Sequence, residues 1–246
     1  MRILKSTLLL AAAMTMSWTV MAKEIVLVAG ATSLSGRAIV KSLLEQGYKV
    51  RAMVRDVAKA GDMGPGVQMV VADVTKPDSL KGAVKGADYV LSLIGAVPMG
   101  KDVPEVIDFK GVSALTDAAK SAGVKQFVHM TALGSGSEDP NARLNKMFNM
   151  VLMWKGKGED YIRRSGMAWT IVRPGGLEDC DAGKTGLKIG HLDGTAQGRV
   201  CRADAGLVMI AAMGNKDYLG KTISVVKDQA GAIDGWRMEI AAIPKD

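Results

Sequence analysis

Residues 24–46 read EIVLVAGATSLSGRAIVKSLLEQ, and the fold turns on this stretch. Glu24–Ala29 is a near-continuous apolar run that stops at glycine, the pattern of a strand buried on both faces of a parallel sheet. Arg37–Gln46 carries apolar residues at 38, 39, 40, 43 and 44, a helical spacing, and Gly47 supplies its C-terminal cap. Between them lies Gly30-Ala31-Thr32-Ser33-Leu34-Ser35-Gly36. Glycines there let the chain turn tightly at a helix N-terminus, whose unsatisfied N–H groups and dipole favour an anion. Strand, glycine loop and helix in this order form a seat for the pyrophosphate of a dinucleotide.

Working outward, the alternation continues. Lys49–Val54, Val67–Ala72, Tyr89–Ile94, Lys125–Thr131 and Ala168–Val172 read as strands. Thr75, with Asp78 after it, is expected to cap a helix. Val106–Ala122, closed by Gly123, and Asn145–Ser165, closed by Gly166, read as long amphipathic helices. Arg173-Pro174-Gly175-Gly176 stops the sixth strand. Strands separated by helices run parallel with right-handed crossovers, so the spacing predicts an α/β, doubly wound parallel sheet of the Rossmann type. Beyond Leu177 the pattern loosens into a helix at Ala203–Met213, a strand at Thr222–Val226 and a final helix at Ile233–Ala242. No linker or repeat separates this tail, and residues 23–246 form one predicted domain.

Residues 1–22 stand apart. Arg2 and Lys5 precede an apolar run from Leu8 to Val20, and Val20-Met21-Ala22 places compact residues before Lys23. This order predicts a secretory signal peptide cleaved after Ala22, and hence an exported protein. A membrane anchor is the alternative, but the run is shorter than the ~20 residues a spanning helix needs. Removing the leader takes the formal charge from +7 to +5 and leaves 224 residues, enough for one full core. The basic residues are scattered and aromatic content is 4%, without the basic–aromatic interleaving that stacks nucleic-acid bases. No later apolar run is long enough to span a bilayer.

Cys180 and Cys201 lack zinc-site spacing, and His129 and His191 are not clustered with them. No metal site is predicted. In an oxidising compartment the two cysteines can pair, or they can remain unpaired apolar residues. His129, inside an apolar strand, reads as a core residue, while His191 lies in a glycine-rich stretch. Met147, Met150 and Met153 read as one helix face, packed against the sheet or lining an acceptor pocket.

The sequence resembles the atypical short-chain dehydrogenase/reductase family, in particular its NAD(P)H-binding, NmrA-like branch. The glycine loop matches the family's Gly-Ala-Thr-Gly-x-x-Gly at Gly30, Ala31, Thr32 and Gly36, with Ser33 in place of the middle glycine. VRAMVRD (50–56), VVADVTKPDSL (70–80), VKQFVHMTALG (124–134), KGKGEDYIRRSGMAWTIVRPGGL (155–177) and CRADAG (201–206) resemble family blocks in family order. The resemblance implies that Gly30, Thr32, Ser33, Leu34, Ser35 and Gly36 cradle the dinucleotide. It implies Asp73 and Val74 against adenine, Ile94, Gly95 and Ala96 against ribose, and Pro174 beside the nicotinamide.

The second strand ends in Arg55, with Arg51 nearby and no acid before Asp56, which favours the 2′-phosphate of NADP(H) over NAD. In the wider superfamily a Ser or Thr, a Tyr and a Lys four residues after the Tyr carry hydride-transfer chemistry. Glu159 points back to Lys155 as that lysine, which leaves Val151 at the tyrosine position and Thr131-Ala132 where many relatives carry two hydroxyls. Thr131 and Lys155 are the remaining catalytic candidates, with Lys155 as a nicotinamide-ribose ligand. The expectation is an NADP(H)-binding, reductase-like protein with a flavin- or quinone-like acceptor, which can take its proton from water. The rival is a non-catalytic dinucleotide-binding or assembly protein with a protein partner.

Overall fold

The structure is a computed structural model that describes residues 24–97, 103–194 and 197–246. The expected leader and its cleavage point after Ala22 lie outside these residues. Among the described residues, eight strands form one sheet in the order β3-β2-β1-β4-β5-β6-β10-β8. They are β1 (Ile25–Ala29), β2 (Lys49–Val54), β3 (Gln68–Val71), β4 (Tyr89–Ser92), β5 (Gln126–Met130), β6 (Trp169–Pro174), β8 (Gly186–His191) and β10 (Lys221–Asp228). All neighbours pair in parallel except β8, which runs antiparallel to β10 with Ile223 opposite His191. Strand order reverses between β1 and β4, so the crevice at the topological switch opens at their C-terminal ends.

Alternation along β1 feeds two cores. Val26 and Val28 pack with Ile39, Val40 and Leu43 of α1 (Leu34–Glu45) and with Val208 and Met209 of α7 (Arg202–Ala212). Leu27 and Ala29 face Leu80 of α3 (Pro77–Val84), Leu115 of α4 (Val112–Ser121) and Ile162 of α6 (Val151–Arg164). All these side chains are essentially buried, as a sheet covered by helices on both faces requires. Among the described residues, no helix is long and apolar enough to cross a membrane.

Several expectations are corrected. The helix predicted over Asn145–Ser165 is two pieces, α5 (Arg143–Met147) and α6, because Asn149 and Met150 adopt φ of +49° and +61°. Buried Asn145 fixes this break: its amide donates to the carbonyls of Ser137 and Asp139, and its oxygen accepts from Leu152 N–H. Met147, Met150 and Met153 therefore do not share one helix face. The helix predicted over Val106–Ala122 begins as a π-helical turn, Glu105–Gly111, before α4. Thr75 does not cap α3. It donates through both its N–H and its hydroxyl to Asp73, while Lys76 occupies the cap position without a side-chain bond. The predicted helix over Ile233–Ala242 shrinks to α8 (Trp236–Glu239) and one 3-10 turn, Ile240–Ala242.

Three strands were not anticipated: β8, β7 (Gly176–Glu178) and β9 (Arg199–Cys201), the last two pairing as a separate parallel ribbon. In that ribbon Glu178 stands opposite Cys201. Cys180 follows two residues later, and the structure joins the two cysteines in a disulfide, with Cα atoms 5.6 Å apart. A short helix, α2 (Val57–Ala60), follows β2, with Asp56 accepting from Ala58 and Lys59 N–H as its cap.

Candidate functional site

The C-terminal ends of β1, β2, β3 and β4 enclose a cleft of about 380 Å³. Gly30, Thr32, Ser33, Arg55, Asp73, Val74, Ile94 and Gly95 line it, residues separated by up to 65 positions in sequence and brought together by the switch point. The structure adds Met53, Asp56, Lys59, Val97 and Ile107 to this wall.

The glycine loop explains itself sterically. Gly30 has φ of +85°, and a β-carbon there would stand 2.9 Å from the Leu93 carbonyl oxygen. A β-carbon on Gly36 would overlap the carbonyl oxygen of Gly30. Both positions therefore require glycine, and the backbone is left bare where a phosphate would approach. Ser33, which departs from the family pattern, is the N-cap of α1. Its hydroxyl accepts from Gly36 N–H at 3.0 Å and donates to the Gly30 carbonyl at 2.8 Å. The helix consequently starts at Leu34, three residues earlier than its apolar spacing suggested. Leu34 is exposed, while Ser35 and Gly36 are buried in the first turn beneath the cleft.

Arg55 is exposed at the cleft rim, and its charge acts on Asp73. Burial pushes the Asp73 carboxyl up. The Thr75 N–H and hydroxyl, with the charges of Arg55 and Lys76, outweigh this and hold it below the usual carboxylate range. Arg51 turns elsewhere: it donates to Gln68 and to the carbonyls of Ala83 and Lys85, tying β2 to β3 and α3. The cleft rim therefore presents Arg55 and Lys59, not Arg51.

Behind Gly95, next to the cleft but not among its lining residues, Lys155 Nζ donates to Asp108 Oδ1 at 2.7 Å. The second oxygen of Asp108 accepts from Ala96 N–H at 3.0 Å. A β-carbon on Gly95 would lie 3.0 Å from Lys155 Nζ, so the ammonium rests on bare backbone in the cleft wall. Asp108, 1% exposed, was missed by sequence reasoning. Its signal was present: 108, 112, 115 and 119 make one helical stripe, otherwise Val112, Leu115 and Ala119, and an acid on such a stripe must find a partner.

Thr131 and Pro174 do not line this cleft, nor do Leu34, Ser35, Gly36, Ala96 and Lys155, which adjoin lining residues. The Thr131 hydroxyl is buried and donates to Glu159 Oε1 at 2.6 Å. Glu159, fully buried, also accepts from Arg173 at 3.0 and 2.5 Å and from Arg163 at 3.1 Å. Burial opposes the Arg173 charge, yet the Glu159 and Asp193 carboxylates outweigh it and raise its pKa. Pro174 is buried at the end of β6, where its carbonyl accepts from Leu133 N–H. Val151 is buried at the first position of α6, one turn before Lys155.

His129 is a core residue: its Nδ1 lies 3.1 Å from both oxygens of Ser92. Burial, helped by the Lys155 charge and opposed by the Ser92 bond, pushes its pKa down to about 3, so it is neutral at ordinary pH. His191 Nε2 lies 3.0 Å from Asp246 Oδ1. Among the described residues no group of three His, Cys, Asp or Glu could hold a metal ion.

This cleft fits a dinucleotide: a switch-point crevice, a glycine turn that only a bare backbone can make, a helix N-terminus, Arg55 on the rim, and Gly95 in the wall with Lys155 behind it. Comparison with known proteins agrees. A family model described as NAD(P)H-binding matches residues 30–216. Sanguinarine reductase of Eschscholzia californica is 30% identical over 245 residues, covering 82% of this chain and 89% of that protein. The chloroplastic protein TIC 62 of Arabidopsis thaliana is 34% identical over 179 residues, covering 63% of this chain, which spans only 28% of TIC 62. The fold also matches a crystal structure of an oxidoreductase of Lactococcus lactis, with a TM-score of 0.75 at 21% identity, over 87% of this chain and 95% of that one. The chain belongs to the NAD(P)H-binding, NmrA-like branch of the atypical short-chain dehydrogenase/reductase family.

Proposed function

We propose that the protein binds NADP(H) across the C-terminal edge of its sheet and reduces a flavin- or quinone-like acceptor. Gly30, Thr32, Ser33 and the N–H groups opening α1 hold the pyrophosphate. Arg55, with Lys59 of α2 on the same cleft wall, meets the 2′-phosphate. Asp73 and Val74 flank the adenine. Gly95, Ala96 and Lys155 hold the second ribose. The bound cofactor would supply the hydride.

One observation carries the choice of acceptor: the Thr131 hydroxyl is spent on Glu159. With Val151 at the position one turn before Lys155, and Lys155 paired with Asp108, the residues beside the cleft here offer stabilisation of charge rather than an uncommitted acid. An acceptor that takes its proton from solvent suits such a site, whereas ketone reduction needs a placed donor. That sanguinarine reductase is a relative supports reductase chemistry.

Fluorescence titration with NADPH and NADH, then a turnover screen against flavins, quinones and simple ketones, tests the reading. We expect NADPH to bind more tightly and flavins or quinones to be reduced. Ready reduction of ketones would overturn the acceptor assignment. NADPH binding without turnover of any acceptor would favour the rival, a non-catalytic dinucleotide-binding or assembly protein. Export through the leader of residues 1–22 is part of the proposal, and the Cys180–Cys201 bond suits an oxidising compartment. N-terminal sequencing of the protein from cell fractions tests it: a chain that starts at Met1 would rule cleavage out.

A further inference from the structure

Asp108 sits on a π-helical turn, a rare geometry that inserts one extra residue into a helix and often marks functional sites. This turn is pressed between the cleft and α6. A β-carbon on Gly111 would meet Val74 of the cleft wall at 2.7 Å, and one on Gly158 of α6 would overlap the Asp108 carbonyl oxygen. Glycine inside a helix is destabilising, so Gly158 is best explained by the contact it permits. That contact brings the Asp108 carboxylate within reach of Lys155, 47 residues away. The pair is secluded: the side chains are 1% and 16% exposed.

Both oxygens of Asp108 are used, and they hold two different groups beside the cleft wall. One holds the ammonium of Lys155 against Gly95, and the other holds Ala96 N–H in the loop after β4. A lysine has a long flexible stem, and its charge is useful to a ligand only when that stem is fixed. A dinucleotide laid across a switch point puts its adenosine half over β2 and β3, next to Arg55 and Asp73. Its other half falls over β4 and β5, next to Gly95 and Lys155.

We propose that Asp108 is a positioning residue that fixes the Lys155 ammonium and the Gly95–Ala96 loop together, so that the nicotinamide half of the dinucleotide depends on it and the adenosine half does not. The proposal rests on the dinucleotide reading of the cleft. Asp108→Asn is the informative variant. Its amide oxygen can still accept from Ala96 N–H, but its NH₂ then faces the Lys155 ammonium, two donors with no acceptor between them. The variant releases Lys155 while keeping the loop bond.

The experiment is binding of two probes, NADPH and adenosine 2′,5′-bisphosphate, to the wild-type chain, Asp108→Asn, Lys155→Met and the double variant, with thermal unfolding of each. We expect Asp108→Asn and Lys155→Met each to weaken NADPH about tenfold, the scale of one charge-assisted hydrogen bond. Adenosine 2′,5′-bisphosphate should bind all four proteins alike. The double variant should bind NADPH no worse than Lys155→Met, because Asp108 acts through that lysine. Unchanged NADPH affinity in Asp108→Asn, equal loss of both probes, or multiplying losses in the double variant would each overturn the role. A wild-type chain that binds neither probe would overturn the dinucleotide reading itself, and this proposal with it.

Discussion

Ser33 and Gly36 close the glycine loop on itself: the serine hydroxyl accepts from Gly36 N–H at 3.0 Å while donating to the Gly30 carbonyl at 2.8 Å. The serine that replaces the family's middle glycine is therefore part of the turn, satisfying one of the orphan donors at the start of α1. Ser33→Ala should cost about 1 kcal/mol of stability, and Ser33→Gly only a few tenths, since glycine is itself tolerated at an N-cap. Urea denaturation of the three proteins checks this. No loss in Ser33→Ala would show that the cap bond contributes nothing.

Arg55→Ala tests the cofactor preference. If the guanidinium meets the 2′-phosphate, NADPH binding should weaken by roughly 1.5–3 kcal/mol and NADH binding should barely change. Calorimetric titration of both nucleotides decides it. Parallel losses for NADPH and NADH would place Arg55 elsewhere in the site. Because Arg51 is committed to Gln68, Ala83 and Lys85, Arg51→Ala should lower stability without altering the ratio of the two affinities.

Glu159 joins three parts of the chain, holding Thr131 of the loop after β5, Arg173 of β6 and Arg163 of its own helix. Removing a buried carboxylate strands its cation, so Glu159→Ala should cost about 3–5 kcal/mol. Replacing Thr131 by valine removes one neutral donor and should cost closer to 1 kcal/mol. Unfolding midpoints in urea measure both. A Thr131→Val protein as damaged as Glu159→Ala would show that the hydroxyl, and not the ion pair, holds this corner.

His129 gives the fold an acid sensitivity of its own. Its ordinary pKa is about 6.5, and burial, with help from the Lys155 charge and against the Ser92 bond, lowers it to about 3. Below pH 6.5 the unfolded chain binds a proton that the folded chain refuses, so stability falls as pH falls, until the folded value is reached. Between pH 6.5 and 4.5 the loss should be roughly 2–3 kcal/mol. The paired acids Asp73, Asp88 and Asp246, whose pKa values are lowered, contribute below this window. Denaturation at pH 7 and 4.5 should show this slope in the parent and a much flatter one in His129→Gln. Equal slopes would remove His129 as the cause.

The sequence by itself determined the parallel strands of a doubly wound sheet and the glycine seat, while the strand order that sets the switch point came from the folded structure. The strands and the seat rest on local properties: the length of an apolar run, the 3.6-residue spacing after it, and the absence of a β-carbon at Gly30 and Gly36. The end of the second strand singled out Arg55, and the family resemblance singled out Asp73 and Gly95, which the folded sheet brings to one edge. The tertiary structure alone decided the rest. β7 and β9 are three residues each, too short to carry a period, and β8 is defined by the strand it pairs with. The break at Asn149 and Met150 follows from hydrogen bonds that Asn145 makes across a loop. The Asp108–Lys155 and Glu159–Arg173 pairs depend on how closely helices and strands approach, which Gly158 sets in the first case. Buried charges choose partners by distance in space, and that distance exists only once the chain is packed.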